Sequence, residues 1–129
     1  MPMEKRSPLP GEIKFAFDEK RNILFTEDHF ELRTERDVEE FFRLNEAESK
    51  KHPGKFFLVS DINGLRIHAA VIGLYGERGK QLTARCVLGQ ARYATEPFAR
   101  MALRAAYSRA GVPCEIFDTK EEALKSLGL

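Results

Sequence analysis

Phe56-Phe57-Leu58-Val59-Ser60-Asp61 is the stretch that leaves this chain the fewest ways to fold. Four apolar residues open a run of only six, and Ile62-Asn63-Gly64 follows, which reads as a strand buried on both faces and closed by a turn. A strand covered on both sides belongs at the centre of a layered α/β domain. A chain of 129 residues makes one such domain, burying roughly two thirds of its unfolded surface and needing no staples.

The segments on either side supply the layers. Met1 to Gly11, with three prolines, reads as a loose lead-in, and the domain is expected over residues 12–129. Glu12 to Phe17 alternates, with Ile13, Phe15 and Phe17 on one face, and Ile23 to Thr26 follows a polar turn, so the two predict an antiparallel hairpin. Phe30 and Leu32 are able to prolong its second strand. Thr34-Glu35-Arg36-Asp37 has the form of a capping box, and Val38, Phe41, Phe42 and Asn45 follow at helical spacing up to Pro53-Gly54.

Gly64 to Gly79 reads as a helix that is apolar on two sides, with Leu65, Ala69 and Ile72 opposite Ile67, Ala70, Val71 and Leu74. Such a helix is buried on both sides or offers one to a partner. A strand over Val71 to Tyr75 is the alternative. The glycines up to Gly79 are expected to end this helix and turn the chain. Arg85 to Gly89 predicts a short strand. Thr95 is expected to cap a helix that has Pro97 in its first turn, buries Phe98, Met101, Ala102, Ala105 and Ala106, and ends at Gly111. Cys114 to Phe117 predicts a last strand, and Thr119-Lys120-Glu121-Glu122 opens a final helix burying Ala123, Leu124 and Leu127. A hairpin followed by alternating strands and helices predicts an α/β domain with a mixed, mostly parallel sheet.

Several functions are disfavoured. A net charge of +1 argues against general nucleic-acid binding. Cys86 and Cys114 lack metal-type spacing and read as small apolar residues of a reduced, cytoplasmic protein. Met1 to Pro10 contains no apolar run of the signal-peptide kind, and no window is long enough to span a bilayer. His29, His52 and His68 have no metal-pair spacing, and no nucleophile has a visible base beside it. Gly73 to Lys80 departs from a phosphate loop, since Leu74 stands at the first glycine position and Gln81 follows the lysine. No catalytic residue, metal or cofactor is expected.

The order of elements, the strand ending in Asp61-Ile62-Asn63-Gly64, and the stretch Glu115-Ile116-Phe117-Asp118-Thr119-Lys120-Glu121-Glu122-Ala123-Leu124 resemble the SpoIIAA-like, STAS-type domains. These are the anti-sigma-factor antagonist domains and their relatives of lipid-carrier-like (CRAL-TRIO-type) fold. The resemblance covers roughly Glu12 to Leu127. It implies a regulatory binding module. Phosphoswitch members carry an acceptor Ser or Thr at the start of the helix after the buried strand. Here that position falls near Ala69-Ala70-Val71, and Asp61 through Leu82 contains no Ser or Thr. A switch that places about two negative charges there has no hydroxyl to use.

Charge is unevenly spread along the chain. Between Glu27 and Glu48 there are nine acids against three arginines, and between Arg66 and Arg109 eight bases against two acids. Such poles steer a partner or pair in a homodimer. Glu96, Arg100, Arg104 and Tyr107 share a helical face, with Arg92 and Tyr93 just upstream, and this face is a candidate for an acidic partner or an anion. The expected function is protein–protein interaction, with another protein or a second copy, through Leu65, Ile67, Val71 and Leu74 and that basic face. The alternative is a small amphipathic, lipid-like ligand in an apolar pocket beside Arg92, Arg100 or Arg104.

Overall fold

The computed structural model describes residues 11–129, so the proposed lead-in before Gly11 lies outside the described residues. The elements are β1 (Gly11–Asp18), β2 (Ile23–Leu32), α1 (Glu35–Ser49), β3 (Phe56–Asp61), β4 (Arg66–Ile67), a 3-10 turn (Ala69–Val71), α2 (Ile72–Cys86), β5 (Val87–Tyr93), α3 (Pro97–Ala110), β6 (Ile116–Phe117) and α4 (Lys120–Ser126). The sheet runs β1-β2-β3-β5-β6, with β4 paired to the far end of β2. Only β1 is antiparallel to its neighbour. The expected α/β architecture, a mixed and mostly parallel sheet packed with helices, is what the chain adopts.

The strand from Phe56 is central, flanked by β2 and β5, and its two faces meet different layers. Phe57 and Val59 join Ile23, Ala91 and Ala123 in a small core under α4. On the other face the larger core gathers α1, α2 and α3, with Phe30, Phe41, Phe42, Tyr75 and Leu103 buried together. Rings of Phe30 and Phe41 meet edge to face at 5.2 Å, a geometry aromatic pairs favour.

Local signals explain most boundaries. Thr34 Oγ1 accepts from Asp37 N at 3.2 Å, and Asp37 Oδ2 accepts from Thr34 N at 3.1 Å, completing the capping box of α1. Gly111 ends α3 in the left-handed region at φ 73°. Thr119 caps α4 by accepting from Glu122 N. Glu122 reaches back to Asp118 N, one residue short of a full box.

Four expectations are corrected. The segment after Gly64 is neither one helix nor a strand over Val71 to Tyr75. It makes a two-residue strand and a 3-10 turn before α2 starts at Ile72. The glycines do not end a helix. Gly76 and Gly79 lie within α2 and face α3, where side chains would not fit. The strand expected at Arg85 to Gly89 begins at Val87 and runs on to Tyr93, because Arg85 and Cys86 complete α2. The last strand spans only Ile116–Phe117.

The helix from Pro97 is also capped and oriented differently. Its N-cap is Glu96, whose carboxylate accepts from Ala99 N at 2.8 Å, and Thr95 lies one residue outside. Its buried side is Ala99, Leu103, Ala106 and Tyr107, while Phe98 and Met101 are 65% and 63% exposed. The periodicity placed the large apolar residues inward. Close approach of α2 instead requires the small ones there, as the Gly76–Ala106 contact demonstrates.

Candidate functional site

Strand register assembles a polar row on the helix-covered face of the sheet. Thr26 pairs with Ser60, and Ser60 with Arg92, so three neighbouring strands place these side chains side by side. Asp28 stands two residues along β2 on the same face. All four are buried, Arg92 being only 6% exposed. The Thr26 and Ser60 hydroxyls are hydrogen-bonded at 2.8 Å. The Arg92 guanidinium lies 4.3 Å from the centre of the Tyr107 ring, and its Nη1 is 3.9 Å from Cys114 Sγ. A cation desolvated over an aromatic face gains electrostatic stabilisation that an exposed one does not.

Burial pushes the Asp28 carboxyl up to about 7, raised further by the Asp61 charge and opposed by Thr26, Arg92 and His29. Burial likewise raises the Cys114 thiol, with Arg92 and Arg104 opposing. A raised thiol is a poor source of thiolate. Asp28, Thr26, Ser60 and Arg92 thus bring a carboxyl, two hydroxyls and a guanidinium to one buried row. Among the described residues, no group of three His, Cys, Asp or Glu side chains is arranged to hold a metal ion.

The basic face expected around the Thr95 helix does not form a surface. Arg92 and Tyr107 are core residues, and Tyr93 is half-buried against the α4 side of the sheet. Burial pushes the Tyr93 phenol up to about 12. Arg100 spends its donors within the fold, on Ile116 O at 3.1 Å, Asp118 Oδ1 at 3.0 Å and the carbonyls of Ala94 and Phe117. It ties α3 to β6. Only Arg104 of that set remains exposed.

The apolar contact set is also internal for the most part. Leu65 and Val71 are buried, Ile67 is 9% exposed and Leu74 is half-buried. The charge poles meet within one molecule, since Arg78 pairs with Glu39, Arg85 with Glu46, and His68 Nε2 with Glu31 Oε2 at 2.9 Å. That pairing removes much of the field expected to steer a partner.

Exposed apolar surface appears elsewhere. A groove of about 410 Å³ runs between the Leu65–Ile72 segment and α3, floored by Ile67, Ile72, Ala102 and Ala105 and overhung by Phe98 and Met101. Arg66 and His68 stand at its edge. Arg66 makes no ion pair among the described residues, in contrast to His68. Sequence reasoning named Leu65 and Ile67, which line one side of this groove, but missed the α3 side because it counted Phe98 and Met101 as core. Their spacing from Ala99, Leu103 and Ala106 around the helix, with three small or aliphatic residues already filling one side, was the available signal.

No helix among the described residues is long and apolar enough to cross a membrane. No family model, curated protein or solved structure matches the chain.

Proposed function

We propose that this chain is a non-enzymatic, SpoIIAA-like regulatory module that binds another protein through the groove beside α3. Consecutive parallel strands, an antiparallel N-terminal strand and an α4 that follows Phe117-Asp118-Thr119 support the kinship. The observation that carries the function is the exposure of Phe98 and Met101, three residues apart on α3, over an apolar groove. Two large side chains in water beside apolar walls are the signature of an interaction surface. The partner is an apolar segment with an acidic residue facing Arg66, in the manner of an amphipathic helix laid into a groove.

A lipid-like ligand is the second reading, supported by a volume within the range of small-molecule sites and by an arginine at the edge. The groove carries two exposed side chains, Phe98 and Met101, which suits a protein better than an acyl chain that needs enclosing walls.

A photo-crosslinking residue placed at Phe98 tests this in the native cell. A discrete protein adduct is expected, lost on Arg66→Glu and absent when the probe stands at exposed Leu88. Adducts that are indifferent to Arg66→Glu, consist of lipid, or join two copies of the chain would overturn it.

A further inference from the structure

Asp28 Oδ1 and Arg92 Nη2 are both buried without a hydrogen-bond partner in the protein. Both residues line one cavity of about 40 Å³ between the sheet and the helices, with Thr26, Ser60, Gln90 and Tyr107 around the same space. Buried polar atoms are satisfied in nearly all folded proteins, and two bare ones of opposite charge beside a single cavity call for a common cause.

We propose that this cavity is a built hydration site, in which about one or two ordered waters join Asp28 Oδ1 to Arg92 Nη2. The volume fits, since each water occupies roughly 30 Å³ in the liquid. It is far below the roughly 300 Å³ at which sites for nucleotides, sugars or acyl chains begin. Partners are sufficient, because a buried water makes about three hydrogen bonds and the walls include the Asp28 carboxyl, the Arg92 guanidinium, the hydroxyls of Thr26, Ser60 and Tyr107 and the Gln90 amide.

Charge selects water over an ion. An anion drawn to Arg92 meets the Asp28 carboxylate, and a cation drawn to Asp28 meets the guanidinium. A neutral molecule that both donates and accepts serves both walls. It also serves both forms of Asp28, whose carboxyl titrates near neutrality: water donates to the carboxylate and accepts from the acid. On the helix side the packing beside the site is tight. Gly79 and Tyr107 both line it, and a Cβ at Gly79 would stand 2.5 Å from the Tyr107 hydroxyl.

The test is a crystal structure of the unmodified chain at roughly 1.5 Å or better, where ordered water is unambiguous, joined to oxygen-17 relaxation dispersion in solution. Expected are about one or two waters within hydrogen-bond distance of both atoms, and a matching count of long-lived waters that Asp28→Leu with Arg92→Met abolishes. The unmodified chain decides the matter even if that double variant does not fold. A direct Asp28–Arg92 ion pair, a dry cavity, or density for an anion against Arg92 would each overturn the assignment.

Discussion

Replacing Gly76 with alanine probes the contact that sets the whole helix layer. Helix α2 approaches α3 so closely that a Cβ at Gly76 would overlap the Ala106 carbonyl oxygen and stand 2.8 Å from its carbon. Ordinary contact to carbon begins near 3.4 Å, so the helices must separate by more than about 0.6 Å. The obstacle is backbone and has no rotamer to change. Overpacking of this kind costs about 1–3 kcal/mol, and the helix propensity of alanine returns at most about 1 kcal/mol. A net loss of about 1 kcal/mol follows, which moves a urea midpoint down by about 0.5 M at a typical slope. Gly73→Ala is the matched control, three residues earlier in the same helix with nothing within 4 Å of its Cβ. It gains propensity alone and raises stability by about 0.5 kcal/mol. Equilibrium urea denaturation of both variants gives opposite signs. Equal or greater stability in Gly76→Ala than in Gly73→Ala would refute the close-approach reasoning.

Asp28→Asn tests the buried carboxyl: the fold raises it from an ordinary 3.8 to about 7, so the folded chain holds the proton more tightly than the unfolded chain. Stability then falls as pH rises from about 4 to about 7 and levels off above, losing about 2–3 kcal/mol between pH 5 and pH 8. Arg92, Asp61, Thr26 and His29 surround both versions alike, so urea midpoints of Asp28→Asn stay flatter across that range, and parallel profiles would count against the shift. Asn63→Ala removes an acceptor that holds Thr95 N at 3.0 Å and Glu96 N at 3.1 Å, and is expected to cost about 1–2 kcal/mol in thermal or urea unfolding, whereas Asn63→Asp keeps that acceptor but turns the Nδ2 donor to Asp61 Oδ1 (2.9 Å) into a second carboxylate oxygen, so it recovers stability only at acid pH. Glu96→Ala costs about 1 kcal/mol and Thr95→Ala less than about 0.5, and the reverse ranking would mean that Thr95 is the cap after all.

The layers of this fold were legible because their signals are local. Thr34 to Asp37 announces a helix start, and Phe56 to Asp61 announces a covered strand. The polar row was not legible, for a reason visible in β2. Leu24, Thr26, Asp28, Phe30 and Leu32 alternate on one face, and all are buried. Leaving the chain after Thr26 open, with only Phe30 and Leu32 able to prolong the strand, gave Asp28 no inward place, and ending the strand expected from Arg85 at Gly89 left Arg92 outside the sheet. Period-two alternation continues through polar residues when the sheet is covered. Its interruption by Thr and Asp, flanked by Phe30 and Leu32, marks a buried polar site more than a strand end. The exposed apolar pair was missed for the opposite reason. Helical spacing identifies a stripe but not which of two stripes the neighbouring helix is able to approach, and Gly76 against Ala106 decided that through tertiary contact.

These corrections bear on the turn that follows the central strand. In phosphoswitch domains of the class this chain resembles, the start of the next helix carries the regulated hydroxyl. On the proposed kinship that place falls near Ala69 and Ala70, both exposed, and Ala69 lines the groove with Ile72 and Phe98. A phosphate there would act by charge, repelling an acidic partner or attracting a basic one. Alanine at the same place acts by shape, since it leaves the groove wall low and apolar and lets a side chain pass toward Ile67. Arg66 beside it makes no ion pair among the described residues, and on the proposed function it faces the acidic residue of the partner segment. Ala70→Ser would return a hydroxyl to this turn without filling the groove, and Ala69→Glu would both fill it and set a charge against the partner's. On the proposed function, crosslinking from Phe98 survives the first substitution and is lost with the second; survival of both would remove the α2 start from the contact.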